Sequence, residues 1–422
     1  METMDDTDGP AAAETPTPAG EIQAQTPGPD DIKAMRQVDN VAFGVTPAPD
    51  EPTPWAETYS QPYAQVAVCD GQVVGAAGAF EMSLTLPGAV TVECPGVTGV
   101  SVLPTHRRRG ALNKMMWRQL AEFRRGGAII VALTASEGGI YERYGYGIAS
   151  DFAAIEIDTS RAFFRVDQGP GSFQMVPPSE AATLLPALHS AKAGVRHGMT
   201  SRPTELWDAF FADHESARTG RSGLFHVAHL DESGDADGYV SYRVTENAGP
   251  DGIDNVVHVE QVVGLRPSIE LDLWRFVCSL DLATTVRGLA SPGDPLRHAL
   301  TDPRALRTTA VRDHLWTRII DLAAVLGTRR YEHDGELVIG AVDWEFTNNT
   351  GQFRLTIEGG TATIARTQDK PDATADIATW SALALGGRDA TDMAVSGRLQ
   401  GNATAVNRFL RTSHLPWCDV DF

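Results

Sequence analysis

The chain has 422 residues, more than a single hydrophobic core usually holds, so two or three domains are expected. Apolar residues make up 42% and charged residues 21%, which is an ordinary globular composition. The formal net charge of −20 argues against nucleic acid as the main partner, because phosphate neutralisation needs clustered cations. This charge is compatible with attraction of cationic amines, or with solubility alone.

The cysteines Cys69, Cys94, Cys278 and Cys418 are scattered and do not have the spacing of metal ligands, so no metal site is expected. Reduced thiols fit a cytoplasmic protein, and Cys94 is either a covalent nucleophile or an inert buried thiol. No apolar run is long enough to span a bilayer, and residues 1–31 contain no Lys or Arg of a targeting segment. No membrane partner is expected.

Residues 1–30 are rich in Ala, Thr, Pro and acidic side chains, which predicts a disordered acidic tail. A helix begins at Asp31 and is followed by a Pro-rich loop from Phe43 to Trp55. Trp55 and Tyr59 either line a substrate cleft or pack the loop. Strands are then expected at residues 63–69, 73–86 and 90–93, with tight turns between them.

The stretch from Val97 to Phe123 predicts a strand, a basic turn and a helix. Residues 97–103 are apolar and β-branched, residues 107–109 are three arginines followed by Gly110, and apolar residues recur at helical spacing from Ala111 onward. The first N–H groups of a helix have no intrahelical partner, and the helix dipole makes that end positive. The turn is therefore a candidate pyrophosphate site, although a solvated basic helix cap is the alternative.

A second apolar strand, residues 128–133, leads into the sequence TASEGGIYERYGYG at residues 134–147. Together with PTHRRRG at residues 104–110, it closely resembles the enhanced intracellular survival (Eis) family of GCN5-related N-acetyltransferases (GNATs). Leu112 stands where the superfamily usually has a small residue.

The resemblance implies an α+β protein with two tandem GNAT domains, the second degenerate, followed by a sterol carrier protein-like domain. We expect the catalytic domain at residues 31–167, with 146–158 completing its sheet. The second domain is expected at residues 168–310. It is expected to be degenerate, because its segment VGLRP at residues 263–267 lacks the Arg-x-x-Gly turn. The third domain is expected at 311–422, with the C-terminus returning to the active site.

The resemblance also implies the donor and its binding residues. Acetyl-CoA would be the acetyl donor, its pantetheine arm paired with the strand and its pyrophosphate held by backbone N–H groups of the turn. The residues concerned are Val100, Ser101, Val102, Arg108, Arg109, Gly110, Ala111, Leu112, Asn113, Ser136 and Glu137.

A tyrosine hydroxyl with a pKa of about 10 can protonate a departing thiolate, and the candidates are Tyr141, Tyr144 and Tyr146. The resemblance implies that Tyr141 is the general acid, because its spacing behind SEGG at residues 136–139 matches the tyrosine of the Eis family. The resemblance makes the terminal carboxylate of Phe422 the general base. On the residues alone, Glu137 or Glu142 are alternatives.

Asp421 and Trp55 are expected to contact the substrate. Thr134 and Gly99 depart from residues of the best-known members, a His and a pocket-lining aromatic respectively.

We therefore predict an acetyl-CoA-dependent N-acetyltransferase that acts, by resemblance, on multi-amine small molecules such as aminoglycosides, through a ternary complex and without a metal. A homohexamer, arranged as a trimer of dimers, is the assembly the resemblance implies. The alternatives are a protein-lysine or polyamine acetyltransferase on the same scaffold, or a lipid-binding or scaffold protein that uses the third domain.

Overall fold

The computed structural model describes residues 20–46, 58–59, 62–249 and 252–422. Most of the predicted acidic tail and Trp55 lie outside these residues. The boundary predicted at residue 30 is corrected, because residues 22–25 form a strand that pairs antiparallel with residues 66–69. The backbone pairing and the buried side chain of Ile22 explain why this short segment is ordered.

The first elements in the chain are β1 (Ile22–Gln25), α1 (Asp31–Phe43), β2 (Gln65–Cys69), β3 (Gln72–Phe80), β4 (Ser83–Leu86), β5 (Val90–Glu93), β6 (Gly96–Val102), α2 (Ala111–Arg125), β7 (Ile130–Thr134), β8 (Gly147–Ile148) and β9 (Asp151–Asp158). The middle elements are β10 (Ser172–Val176), α3 (Pro178–Ala193), α4 (Thr204–Ala212), β11 (Phe225–Leu230), β12 (Ala236–Thr245), β13 (Ala248–Gly249), β14 (Gly252–Ile253), β15 (Asn255–Gly264), α5 (Pro267–Cys278), β16 (Ala283–Ala290), α6 (Leu296–Ala299) and β17 (Leu306–Asp313). The last elements are β18 (Leu315–Ile319), α7 (Leu322–Thr328), β19 (Gly335–Val342), β20 (Gly351–Glu358), β21 (Thr361–Thr367), β22 (Ala373–Asp376), α8 (Ile377–Leu383), α9 (Ala390–Val395), β23 (Leu399–Gly401) and α10 (Ala403–Leu410).

Two large mixed sheets form the first two domains. In the described part of the chain, each has seven strands, in the orders β1-β2-β3-β6-β7-β18-β8 and β10-β11-β12-β15-β16-β9-β17. Helix α2 forms as predicted, because Met115, Met116, Leu120 and Phe123 lie on one buried face. Its start is set by Gly110, whose φ of +86° favours glycine.

The two sheets exchange strands, which differs from the predicted domain division. Strand β9 was expected to complete the first sheet but lies between β16 and β17 in the second sheet. Strand β18, which was assigned to the third domain, pairs with β7 in the first sheet. The alternation of buried Ala153, Ile155 and Ile157 predicts a strand but carries no information about its partner.

The third domain contains a sheet of order β21-β20-β19-β22-β23, and it shares a core with the first domain. Phe80 and Ile319 of the first sheet belong to the same buried cluster as Trp380 of α8 and Phe422. Burial of this shared apolar surface brings the last residues of the chain to the first domain. Among the residues described, no helix is long and apolar enough to cross a membrane.

Candidate active site

A cleft of about 1270 Å³ opens where β6 and β7 diverge. These parallel strands pair only at Gly96–Ala132 and Val97–Leu133, after which β6 continues without β7 as its neighbour. The cleft is lined by the rest of β6, the basic turn, the start of α2, residues 134–143, the end of α1 and Phe422. An open strand edge of this kind can pair with an extended ligand.

Strand β6 carries a bulge on the floor of the cleft. Ala76 of β3 pairs with Ser101 and Gly78 pairs with Thr98, so β6 has one residue more than β3 between these pairs. Gly99 lies in the bulge with a φ of +57°, a conformation that favours glycine. The bulge changes the direction of the backbone beside Val100 and Ser101, as bulges commonly do at active sites.

The basic turn presents free backbone donors to the cleft. The helical hydrogen bonds of α2 begin with the N–H of Lys114, which donates to the carbonyl of Gly110 at 3.0 Å. The N–H groups of residues 111–113 precede this bond and are available to a ligand. Arg107 and Arg108 also line the cleft, and Arg108 has a φ of +61°. An anion at this point would face N–H groups, a positive helix end and two guanidinium groups.

The Arg109 side chain, in contrast, is directed away from the cleft. Its Nη2 donates to the carbonyl of Gly20 at 2.6 Å and to the sulfur of Cys69 at 3.6 Å. Arg109 therefore ties the segment before β1 to the start of α2, and only its backbone remains a candidate donor to the predicted ligand.

The three candidate tyrosines occupy different environments. Tyr144 donates to the side chain of Asn113 and packs edge-on against Trp117. Tyr146 is fully buried in the core, and burial raises the pKa of its hydroxyl far above the ordinary value. Of the three, only Tyr141 lines the cleft, with 8% of its surface exposed.

Tyr141 is held as a protonated hydroxyl at neutral pH. Burial, and then the charges of Glu137 and Tyr144, raise the pKa of Tyr141 to about 12. The residue begins a short 3₁₀ turn, Tyr141–Tyr144, which ends at Gly145. A protonated phenol on the cleft wall is suited to donating a proton to a leaving group.

Phe422 lies in the same cleft and is 6% exposed. The hydroxyl of Thr134 donates to the main-chain oxygen of Phe422 at 2.7 Å, and the Phe422 N–H lies 3.3 Å from the same hydroxyl oxygen. A Cβ at Gly96 would lie 2.8 Å from the Phe422 ring, so glycine is needed for this contact. Thr134, one of the family departures, therefore holds the last residue of the sequence.

The preceding residues are bound by the second domain. The N–H of Trp417 donates to the carbonyl of His197 at 3.2 Å. The buried carboxylate of Asp419 lies 3.2 Å from Nε2 of His189 and accepts from Nε2 of Gln261 at 2.6 Å. Burial raises the pKa of Asp419, but the charge and hydrogen bond of His189 and the hydrogen bond from Gln261 outweigh it and lower this pKa to about 2.

Other predicted residues are placed as follows. Ser136 and Glu137 line the cleft, whereas Glu142 is exposed and pairs with Arg398 at 2.9 Å. Asp421 does not line the cleft: its side chain is 79% exposed and lies 3.5 Å from Nδ1 of His314. The expected substrate contact of Asp421 is thus not supported by its position.

Tyr59 and Cys94 are both buried in the packed interior. Tyr59 is buried, and its hydroxyl donates to the carbonyl of Gly99 at 3.3 Å. Cys94 is fully buried away from the cleft, and burial, followed by the neighbouring Cys418, raises the pKa of its thiol. Cys94 is therefore an inert thiol in the folded chain. Within the described ranges, no group of three or more His, Cys, Asp or Glu side chains could hold a metal ion.

Asp39 of α1 lines the cleft and was missed in the sequence. It shares the buried helix face with Met35 and Val38, so a carboxylate at an apolar position was the available signal. Burial raises the pKa of Asp39, against the hydroxyls of Tyr59 and Ser101, which lower it.

The second domain lacks an anion site at the equivalent helix start. The N–H of Gly264 lies 3.4 Å from the carboxylate of Glu270, which also pairs with Lys192 at 2.9 Å. Arg266 pairs with Asp237 at 2.9 Å. Because a carboxylate of the helix itself occupies its positive end, a phosphate would be repelled there.

Comparison with protein families finds two acetyltransferase domains followed by a sterol carrier protein domain. Residues 23–149 and residues 198–319 each match an acetyltransferase (GNAT) domain, and residues 322–419 match a sterol carrier protein domain. GNAT acetyltransferases use acetyl-CoA as the donor and require an acceptor.

Similar proteins span nearly the whole chain. An N-acetyltransferase of Streptomyces avermitilis is 32% identical over 93% of this chain and 99% of its own length. The N-acetyltransferase Eis of Mycobacterium tuberculosis is 31% identical over 91% of this chain and 94% of its own length. The crystal structure of Eis1 from Mycobacterium abscessus is 26% identical, covers 95% of this chain and all of its own, and superposes with a TM-score of 0.83. The chain therefore belongs to the Eis family of GCN5-related N-acetyltransferases.

Proposed function

We propose that this enzyme transfers the acetyl group of acetyl-CoA directly to an amine of a cationic, multi-amine small molecule such as an aminoglycoside, within a ternary complex. The observation that carries the proposal is that Tyr141 and Phe422, the acid and base candidates, line one cleft. No acyl-enzyme is needed, since Cys94 is buried away from this cleft.

The donor would be held by the open strand and the basic turn. A thioester carbonyl beside the β6 edge would accept a hydrogen bond from a backbone N–H group. The pyrophosphate would accept hydrogen bonds from the free N–H groups of the turn. The proposed donor-binding residues are Val100, Ser101, Val102, Arg108, Arg109 (through its backbone), Gly110, Ala111, Leu112, Asn113, Ser136 and Glu137.

In the proposed reaction, the carboxylate of Phe422 accepts a proton from the acceptor ammonium, which frees the nitrogen lone pair. That nitrogen forms a bond to the thioester carbonyl carbon, and the carbon–sulfur bond breaks. Tyr141 gives its proton to the departing thiolate and regains one when the bonded nitrogen loses its second proton to form the amide, while the Phe422 carboxyl releases its proton to water. The support for these roles is the protonated state of Tyr141 and the anchoring of Phe422 by Thr134. Glu137 lines the same cleft and is the rival base.

The test is release of free thiol from acetyl-CoA in the presence of an aminoglycoside, spermidine or a lysine peptide. Tyr141→Phe should lower kcat by about 100-fold or more, as expected for loss of a general acid. Tyr146→Phe is the matched control, because the buried Tyr146 hydroxyl has no hydrogen-bond partner and lies outside the cleft.

The general base is tested by two variants, one that moves the terminal carboxylate and one that replaces the Phe422 ring. A chain with one glycine added after Phe422 should lose activity, whereas Phe422→Leu, which keeps a terminal carboxylate, should retain more. If the extended chain is as active as wild type, the base is Glu137 or another acid. If acetyl-CoA binds but no amine is acetylated, the proposed acceptor class is wrong. If acetylation occurs, the amine with the highest kcat/KM shows whether the acceptor is an aminoglycoside, a polyamine or a protein lysine.

The third domain would have a structural role rather than a lipid-binding one. Its support is α8, whose side chains are buried and whose Ser381 bonds to Thr317 and Ile319 of the first sheet. A cytoplasmic homohexamer, built as a trimer of dimers, belongs to the same proposal. Light scattering of the purified protein tests the assembly.

A further inference from the structure

The cleft is lined by elements from opposite faces of the first sheet. Met115 of α2 packs with Ala67 on one face, whereas Met35 of α1 packs with Val66 on the other. Neighbouring residues of a strand point to opposite faces, so α1 and α2 cover opposite sides. A donor bound at the start of α2 therefore leaves the α1 side of the cleft to the acceptor.

The cationic side chains that line the cleft follow the same division, and Glu137 lies with them in the loop after β7. Arg107, Arg108 and Arg143 line it near the basic turn and the 3₁₀ turn, where an anionic donor would lie. On the α1 side, Asp39 brings a carboxyl group to the cleft beside the β6 bulge. A cation on this side would be attracted by Asp39 and remain apart from the arginines.

The carboxyl of Asp39 is not saturated by the hydroxyls around it. The hydroxyls of Tyr59 and Ser101 lie close enough to lower its pKa. The Tyr59 hydroxyl nevertheless donates to the carbonyl of Gly99 at 3.3 Å. Oδ1 of Asp39 and the Ser101 hydroxyl are buried and make no hydrogen bond of normal geometry. A buried acceptor without a donor is costly, so a ligand N–H that reached it after a small side-chain rotation would be bound strongly.

Gly99 keeps this corner of the cleft open. A Cβ at position 99 would lie 2.5 Å from the Tyr59 hydroxyl oxygen, next to the Asp39 carboxyl. A side chain at position 99 would have to displace the Tyr59 hydroxyl and would crowd the Asp39 carboxyl beside it. Glycine therefore leaves this carboxyl accessible from the cleft.

We propose that Asp39 binds an ammonium group of the acceptor other than the one that is acetylated, so that the enzyme selects diamines and polyamines over monoamines. This inference rests on the proposed function, because it needs an amine acceptor in the same cleft. It assigns to Asp39 the acidic substrate contact that was expected at Asp421. Asp39 is a specificity residue, and the bond-forming step does not use it.

The test compares spermidine with butylamine as acceptors at saturating acetyl-CoA. Asp39→Asn should lower kcat/KM for spermidine by about 10- to 100-fold, the range expected for a hydrogen bond to a charged group, and change that for butylamine by less than about threefold. Asp39→Glu, which keeps the charge, should recover part of the loss. Asp421→Asn is the matched control and should leave the ratio of the two substrates unchanged. The KM for acetyl-CoA should not change in any variant.

Calorimetric binding of spermidine to the enzyme loaded with coenzyme A gives a readout that does not depend on turnover. The Kd should rise in Asp39→Asn by the same factor as kcat/KM falls. If binding depends on Asp39 but no amine is acetylated, the Asp39 site stands and the proposed function fails. The role of Asp39 would be overturned if Asp39→Asn lowered kcat/KM equally for spermidine and butylamine, or lowered it for neither. It would also be overturned if wild type did not bind spermidine.

Discussion

Replacement of Asp419 by Asn should weaken both the folded state and catalysis, although Asp419 is not part of the cleft. Its buried carboxylate joins the C-terminal segment to His189 and Gln261 of the second domain. Phe422 follows three residues later and lies in the cleft. Loss of the charge at Asp419 should therefore release the segment that positions Phe422.

The magnitude follows from the pKa. The pKa of the Asp419 carboxyl falls from 3.8 to about 2 on folding, so its ionised form contributes about 2 kcal/mol to stability at neutral pH. Because the folded-state pKa is depressed, this contribution is present above pH 3.8 and is lost as the pH falls from about 4 towards about 2. The Asp419→Asn variant should lose about this amount at pH 7.

Urea unfolding at neutral and acidic pH, together with steady-state kinetics, measures both effects. The difference in unfolding free energy between wild type and Asp419→Asn should narrow as the pH falls, while kcat falls at neutral pH with an unchanged KM for acetyl-CoA. Asp421→Asn is the control, since that side chain is exposed and should affect neither quantity. A folded Asp419→Asn protein with wild-type kcat and stability would show that Asp419 does not position Phe422.

Three further substitutions are expected to act through packing or burial. Arg318→Met should cost about 3–5 kcal/mol in urea unfolding, because it leaves Asp343 buried without its ionic partner, and adding Asp343→Asn should recover part of this loss. Gly99→Ala should destabilise the fold by about 1–2 kcal/mol from its left-handed backbone alone, and more because its Cβ would meet the Tyr59 hydroxyl; a melting temperature equal to wild type would contradict this. Cys94→Ala should keep wild-type kcat, and Cys94 should resist thiol reagents in the native protein; loss of turnover in the folded variant would restore Cys94 as a nucleophile.

Local features of the chain were predictable from the sequence. The helix expected from residue 111 to 123 is observed at Ala111–Arg125, and the strand expected at residues 97–103 is observed at Gly96–Val102. Both follow from the spacing of apolar residues and from the glycine at the turn, which are properties of neighbouring residues. The family resemblance favoured Tyr141 over Tyr144 and Tyr146, and of these three residues it is Tyr141 that lines the cleft.

Long-range pairing was not predictable in the same way. The alternation in β9 predicts a strand but is compatible with either sheet, and only the tertiary structure decides that it joins the second sheet. The position of Asp39 shows the same limit, since its place on an apolar helix face is visible in the sequence but its approach to the bulge at Gly99 depends on packing of α1 on β6.

Motif spacing and local propensity were enough to predict the family, the order of the three domains and the strand, turn and helix at residues 97–123, because these features depend on neighbouring residues. The tertiary structure decided which strands are exchanged, where Asp39 and Asp421 point, and how Phe422 meets Thr134 across 288 residues of chain. Such contacts depend on the burial of apolar surface shared by distant segments, and no short window of sequence contains that information.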